Sequence, residues 1–447
     1  MSTGAFSAAL AADSDHVVCF DRSGTEHRWS DFLDRASAVS VELEATGGRH
    51  WAVDLDDTFE FAAALIGCWA ANKTPVLAQR PLLDGSGLAI DGTIQSSDAP
   101  ARTKRRVVWR RLASPRKLVT AIPPQAELVL YTSGSTGVPK EVRRRVHNVE
   151  SELAVLEQLW GPEIGQCRVY STVSHRHVYG MLFRTLWPLL NRRPFATFDL
   201  EYPEQLVDGR GAAQVLISSP ALLKRIAHLP SRPQAWRAVF SSGGLLTGDV
   251  AADAARVLGA CPIEVLGSTE TSGVASRRQI GPALTGWTAM PTVETRASDE
   301  GFLEVRSPFT GQAQWLQMGD LVRPTTERGF ELLGRGDHLA KIEDKRVSLT
   351  EIERYLLEHP WVGDAAAVAL ADASRQYVGA VVQLSAAGAR ELEQQGRRAL
   401  GNLLRQSLRD RVEPVALPRK FRYVDRIPTD AQGKRQQTKI RELFASP

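Results

Sequence analysis

The chain has 447 residues, 43% hydrophobic and 24% charged, with a formal net charge of +4. This composition is that of a folded globular protein and excludes a disordered, low-complexity or collagenous chain, and the length allows roughly two or three domains, each with a core of useful size. The most apolar window, "VYGMLFRTLWPLL", is interrupted by Arg184 and is too short to span a bilayer, and the first residues lack the basic start and long apolar core of a signal peptide.

In chain order, "VVCFDRSGTEHRWSDFL" predicts a hairpin and then a helix capped by Ser30. "WAVDL" reads as a strand, "TFEFAAALIGCWAAN" as a helix and "TPVLA" as the next strand, an alternation that means α/β layering. Residues 80–126 are rich in Pro, Gly and Arg, have weak periodicity and read as surface connection. The alternation returns at 127, where "QVLISSPALLKRIAHL" and "AVFSSGGLLTGDVAADAARVLG" are each strand, turn and helix. Residues 301–335 read as short β segments. The character then changes: "SLTEIERYLLEH" is a helix with a capping box from Ser348 to Glu351. "DAAAVALAD" and "YVGAVVQL" are strands, "ARELEQQGRRALGNLLRQSL" a long amphipathic helix and "KFRYVDRIP" a last strand. The expected fold class is α/β, with a large N-terminal layered domain over 1–335 and a small C-terminal α+β domain over 336–447.

Cys19, Cys68, Cys167 and Cys261 are far apart and have no metal-ligand spacing, so reduced thiols and a cytoplasmic location are expected. Basic residues cluster in "RTKRRVVWRR" (102–111) and "KEVRRR" (140–145). Such runs read as solvated faces or as a surface for an acidic protein partner; no nucleic-acid motif accompanies them, so nucleic acid is not an expected partner.

The most informative stretch is "YTSGSTGVPK", residues 131–140. An apolar strand, Leu128–Leu130, runs into Thr132, Ser133, Gly134, Ser135, Thr136 and Gly137, and Lys140 follows. Hydroxyls and accessible backbone N–H groups form a concavity suited to phosphate oxygens, and the lysine adds a positive charge. The nucleotide triphosphatase loop is excluded, because Pro139 precedes the lysine and Glu141 stands where Ser or Thr would hold magnesium. No dinucleotide G-x-G-x-x-G is present in this stretch.

The stretch resembles the signature loop of the adenylate-forming superfamily, which includes acyl- and aryl-CoA synthetases, adenylation domains and luciferases. The resemblance extends through four later motifs. "VFSSGGLL" places Ser242, Gly243 and Gly244 where the family lays adenine and the acyl group against bare backbone. "VLGSTETSG" matches at Gly267, Ser268, Thr269 and Glu270; the resemblance gives Thr269 to the AMP phosphate and Glu270 to Mg²⁺, with Leu266 where an aromatic residue is usual. Asp320 in "MGDLV" would hold the ribose hydroxyls, Arg335 would contact ribose or phosphate, and Asp337 would be the hinge of a mobile small domain. Lys434 in "PTDAQGK" would bridge the substrate carboxylate and the α-phosphate. "SHRHVYGMLFRTLWPL" would line the acyl pocket, with His177 as its gate and Tyr179, Gly180, Met181 and Phe183 along it; for the aromatic and apolar members ordinary core packing is the equal alternative.

The resemblance implies a two-step reaction. A small carboxylic acid attacks the α-phosphorus of ATP and releases pyrophosphate, and a thiol then displaces AMP from the acyl-adenylate. In "KIEDKRVSL", Asp344 replaces a glycine that faces the pantetheine tunnel in the family. A carboxylate there disfavours the phosphates of coenzyme A relative to the phosphopantetheine of an acidic acyl carrier protein. These segments look like the stand-alone ligases of bacterial aryl polyene and xanthomonadin-type pigment clusters, which implies a hydroxybenzoate-like acid. A ligase using free coenzyme A and a catalytically degenerate adenylate-binding module are the competing expectations.

Overall fold

The computed structural model describes residues 4–12, 14–77, 90–96, 103, 105–113, 115, 117–132, 140–207, 213–231, 236–280, 286–336, 339–342, 345–371, 376–429 and 435–445. It divides into two compact units. One comprises Met1–Glu294 with Val305–Trp315, the other Thr295–Glu304 with Leu316–Pro447. The division expected from the sequence, a large α/β unit and a smaller C-terminal one, is the one observed. The compact division falls earlier than 335/336, because the hairpin of Leu316–Thr326 and Gly329–Arg335 belongs to the smaller unit.

The larger unit holds two sheets. The first has the order Arg105–Val108, Gly92–Gln95, His50–Asp54, Thr74–Leu77, Glu127–Thr132, Lys140–Arg145, parallel except for the last strand. The second has six parallel strands at its centre: Ile263–Ser268, Ala238–Ser241, Gln214–Ser218, Arg168–Ser171, Phe195–Asp199 and Val17–Phe20. Parallel strands are buried on both faces, and Gln214–Ser218 and Ala238–Ser241 are buried along their whole lengths.

The helix Thr58–Ala70 is buried all round rather than along one stripe, which is the signature of a helix enclosed in a core. Asp57 starts it by accepting the N–H groups of Phe59 at 2.8 Å and Glu60 at 3.1 Å. At Gly67 a β-carbon would sit 2.6 Å from the Ala36 carbonyl, so glycine is what lets the helix Trp29–Thr46 cross this closely.

Three expectations need correction. The helix from Trp29 is not capped by Ser30, which lies inside it and donates to Asp15 at 2.9 Å; Asp31 instead accepts the Arg28 N–H, also at 2.9 Å. Residues 80–126 are not only connection, since Gly92–Gln95 and Arg105–Val108 are parallel strands of the first sheet. They are four residues each, too short for periodicity to reveal. Gly92 is required because a β-carbon would lie 2.5 Å from the Trp51 ring. Finally, the long helix Ala386–Ser407 is broken at Gly396, whose φ of 79° no right-handed helix accommodates.

In the smaller unit, Val362–Ala371 pairs antiparallel with Gln376–Leu384, and Lys420–Tyr423 adds in parallel. The helix Leu349–Leu357 packs its Ile352 and Leu356 into this unit's core, and Ser348 caps it by accepting the Glu351 N–H at 3.2 Å. The four cysteines are free, three of them buried. Burial pushes the Cys167 thiol up to about 11, so it stays protonated at neutral pH. Among the described residues no helix is long and apolar enough to cross a membrane.

Candidate active site

The strand Glu127–Thr132 and its antiparallel partner Lys140–Arg145 frame the phosphate-loop motif. Their register pairs Leu130 with Val142, Tyr131 with Glu141 and Thr132 with Lys140. The last pair closes the mouth of the loop; Ser133, Gly134, Ser135, Thr136 and Gly137 lie outside the described residues, as do Asp337, Asp344 and Lys434. Glu141 is occupied locally: it accepts the Tyr131 hydroxyl at 2.6 Å and pairs with Arg143 at 2.6 Å. Burial and the Glu141 carboxylate together push the Tyr131 phenol up to about 12.

The second motif reaches the same place from the other sheet. Ile263–Ser268 and Ser272–Arg278 form a hairpin that pairs Gly267 with Gly273 and Ser268 with Ser272. The turn is tight: Ser272 has φ of 59°, and a β-carbon at Gly267 would meet the Ser272 carbonyl at 2.3 Å. Ser268 and Thr271 fasten it reciprocally, each hydroxyl accepting the other's backbone N–H at 3.1 Å. Glu270 then lies with its carboxylate 3.6 Å from the ammonium of Lys140. Two motifs separated by 130 positions in the chain therefore meet in space. The Glu270 carboxylate is about one-third exposed, and among the described residues no cluster of three or more His, Cys, Asp or Glu forms a cage. A single accessible carboxylate fits Mg²⁺, which keeps several waters and binds through one or two carboxylates plus phosphate oxygens.

Ser242 donates to the Val265 carbonyl at 2.8 Å, which ties the small-residue loop to the strand leading into the turn. Gly243 has φ of 89°, and a β-carbon there would meet nothing within 4 Å, so backbone conformation rather than crowding selects glycine.

The segment that carries His177, Tyr179, Gly180, Met181 and Phe183 is helical from Val178 to Leu190, with a π-helical stretch over Met181–Leu186. Such π segments are frequent at functional sites. Tyr179 and Phe183 lie one turn apart on this helix, their rings tilted by 48° with centroids 4.9 Å apart. Phe183 also packs on Trp160, Trp187 and Phe240, and Met181 is buried, so both contribute to the core. Gly180 is forced by the Ser174 carbonyl, 2.1 Å from where its β-carbon would be. His177 is half-buried at the helix start, its carbonyl accepting the Met181 N–H at 2.7 Å. The buried histidine is His175, held between Thr58 at 3.1 Å and the Leu55 carbonyl at 2.9 Å. Burial, reinforced by Arg184, holds its imidazole neutral, well below the usual range.

In the smaller unit, Asp320 and Arg335 are direct cross-strand partners, 3.8 Å apart. Asp320 is buried and Arg335 half-exposed.

Sequence reasoning missed Arg144 and Glu152. Arg144 was counted within a solvated basic run, yet it is 4% exposed and donates to the carbonyls of Thr269, at 2.9 Å, and Glu270. The available signal was its place two residues after the buried Val142 in a strand, which puts both on one face. The strands Arg105–Val108 and Lys140–Arg145, one from each basic run, are opposite edges of the first sheet, five strand spacings or ~24 Å apart.

Sheet order and domain composition define the adenylate-forming fold. ATP-bound MatB from Rhodopseudomonas palustris superposes with a TM-score of 0.84 at 19% identity, covering 100% of this chain and 99% of that one. A benzoate CoA ligase from Burkholderia xenovorans gives 0.81 at 21% identity over 98% and 99%. The chain belongs to the AMP-binding enzyme family, whose model matches residues 76–301; the AMP-binding enzyme C-terminal domain matches 351–434. Pyochelin synthetase PchE of Pseudomonas aeruginosa is 25% identical over 81% of this chain but only 29% of its own length. A 4-coumarate–CoA ligase of Cereibacter sphaeroides is 26% identical over 55% of this chain and 57% of its own. Benzoate–CoA ligase of Thauera aromatica is 24% identical over 83% of this chain and 73% of its own.

Proposed function

We propose that the protein is an AMP-forming acid–thiol ligase that activates a small, aromatic carboxylic acid with ATP and transfers the acyl group to the phosphopantetheine thiol of an acyl carrier protein. The observation that carries the first half is the approach of Lys140 to Glu270 at the mouth of the phosphate-loop motif, in a chain of the AMP-binding enzyme family. The acid carboxylate attacks the α-phosphorus, the bond to the β-phosphate oxygen breaks, and pyrophosphate leaves. The obstacle is crowded negative charge. Thr132 to Gly137, with Lys140, cradle phosphate oxygens, and Thr269 contacts the α-phosphate. Glu270 is the residue that would hold Mg²⁺, which supplies charge neutralisation on the phosphates. Asp320 and Arg335 hold the ribose, Ser242 to Gly244 the adenine side, and Lys434 the developing charge between carboxylate and phosphate. His177, Tyr179 and Gly180 border the acyl group. Rotation about Asp337 would then exchange Lys434 for the thiol, a device of the domain-closure kind.

Asp344 supports a carrier protein as the acceptor, since its carboxylate disfavours the phosphates of coenzyme A. The relatives named as coenzyme A ligases support free coenzyme A as the second reading. The pigment-cluster resemblance supports a hydroxybenzoate-like acid. The test is pyrophosphate release with ATP, Mg²⁺ and a panel of benzoates, cinnamates and fatty acids, followed by both thiols as acceptors. Release that depends on one aromatic acid is expected, and Lys434→Ala should lower it by about 10²- to 10³-fold. No release with any acid would overturn the reading in favour of a degenerate adenylate-binding module.

A further inference from the structure

Two charged side chains outside every recognised motif, one from a strand and one from a helix, hold the backbone of the Ser268–Ser272 turn and the residue after it. From the strand Lys140–Arg145, Arg144 donates to the backbone carbonyls of Thr269 and Glu270. From the helix Val146–Ile164, Glu152 accepts the backbone N–H of Gly273 at 2.8 Å, and the Ser272 hydroxyl bonds to the same carboxyl. Both side chains are buried, at 4% and 2% exposure. Gly273 is shaped to this contact: a β-carbon there would lie 3.0 Å from the Glu152 carboxylate oxygen and 3.0 Å from the Met290 sulfur. The turn between the two grips holds a non-glycine residue, Ser272, at positive φ, a conformation that persists only where the surroundings over-determine it.

We propose that Arg144 and Glu152 are positioning residues that lock the backbone of the Thr269–Glu270 turn and so deliver the Glu270 carboxylate to Lys140 at the mouth of the phosphate loop. Neither needs to touch substrate. Arg144 fixes the two carbonyls, and Glu152 fixes the Gly273 N–H, on the second residue of the returning strand. The catalytic consequence rests on the proposed adenylation reaction; the geometry does not. Burying an arginine and a glutamate is costly unless each is hydrogen-bonded and the charges offset one another. Here Arg144 is the charged group that acts on Glu152, and Arg144 in turn is acted on by both Glu152 and Glu270. Burial raises the Glu152 carboxyl to about 7, while the Gly273 N–H, the Ser272 hydroxyl and Arg144 hold it down.

The test compares the full-length protein with Arg144→Leu, Glu152→Ala, Glu152→Gln and the Arg144→Leu/Glu152→Ala double variant. Amide hydrogen exchange of residues 268–273 is measured first. Arg144→Leu and Glu152→Ala should each raise it by ~10-fold or more, with the helix Thr58–Ala70 unchanged. Pyrophosphate release should show a higher KM for ATP·Mg²⁺, a kcat lower by about 10- to 10²-fold, and an unchanged KM for the acid, because a displacement near 1 Å has that effect on rate. Glu152→Gln, which keeps an oxygen for the Gly273 N–H, should recover much of what Glu152→Ala loses. The double variant should be no worse than the more impaired single, because both residues serve one turn. Exchange at 268–273 within two-fold of wild type in Arg144→Leu would overturn the proposal. Equal loss in KM for both substrates would also overturn it, as that marks general damage. If Arg144→Leu does not fold, Arg144→Lys and Glu152→Gln supply the same comparisons. If wild type releases no pyrophosphate with any acid, the adenylation reading falls, and the exchange measurement still decides whether the turn is clamped.

Discussion

Glu152→Gln should change the pH dependence of stability in a direction fixed by burial. The Glu152 carboxyl is raised from 4.5 to about 7, chiefly by burial. A carboxyl with a raised folded-state value favours the protonated form in the folded chain. Its contribution to stability is therefore fully present below pH 4.5, is lost as pH rises towards 7, and stays lost above that. At about 1.36 kcal/mol per unit, ionised Glu152 costs the folded state about 3 kcal/mol above neutrality. At pH 5.5 the same linkage gives a cost of about 1.4 kcal/mol. Glutamine mimics the neutral acid and keeps an acceptor for the Gly273 N–H. The variant should therefore gain on the wild type by about 2 kcal/mol between pH 5.5 and 8.5. Urea unfolding of both proteins at several pH values, read through tryptophan fluorescence of the larger unit, measures the difference. A constant offset across that range would refute the reasoning, because it would mean that Glu152 ionises at the same pH in the folded and unfolded chain and that burial does not raise its carboxyl. A gap that widens up to about pH 7 and then levels off would show that Glu152 ionises in the folded protein and that stability is given up at neutral pH to keep a charge beside Arg144, the kind of trade expected of a residue that serves function.

Gly267→Ala should prevent the turn from closing, because its β-carbon meets the Ser272 carbonyl at 2.3 Å; pyrophosphate release should fall by ~10²-fold while circular dichroism stays native. Gly180→Ala places a β-carbon 2.1 Å from the Ser174 carbonyl, a backbone clash that should lower stability by about 2–3 kcal/mol in denaturant titration. Glu264 and Arg277 brace the same hairpin through two bonds, at 2.8 and 3.0 Å, with both side chains at least nine-tenths buried. Glu264→Ala should cost about 3–5 kcal/mol, since it strips a buried guanidinium of its carboxylate; a loss below ~1 kcal/mol would show that Arg277 finds compensation elsewhere.

How much was legible follows from what each signal depends on. The α/β alternation was readable because the strands Gln214–Ser218 and Ala238–Ser241 are buried on both faces and each leads through a short turn into a helix, Pro220–Leu223 and Gly248–Leu258. The strands Gly92–Gln95 and Arg105–Val108 were not, since four residues in a Pro-, Gly- and Arg-rich stretch give no period, and their pairing is decided by neighbours distant in the chain. Ser30 had the right residue type for a cap, but a cap depends on where the chain enters the helix, and here the entry comes earlier, at Arg28.

The sequence by itself determined the family and the chemistry in prospect: the hydroxyl- and glycine-rich loop ending at Lys140, and Gly267 to Glu270, carry their meaning in residue type and spacing. The need for glycine at Gly67, Gly92 and Gly267 is visible only in three dimensions, where a β-carbon would come within 2.6 Å of a neighbouring atom at each. Only the tertiary structure decided that Lys140 and Glu270 meet, and that Arg144, one of three consecutive arginines, turns inward to hold the turn. The physical reason is that composition reports the charge of a residue, whereas the pleat of its strand and the partners on the next sheet decide whether that charge faces water or a backbone carbonyl.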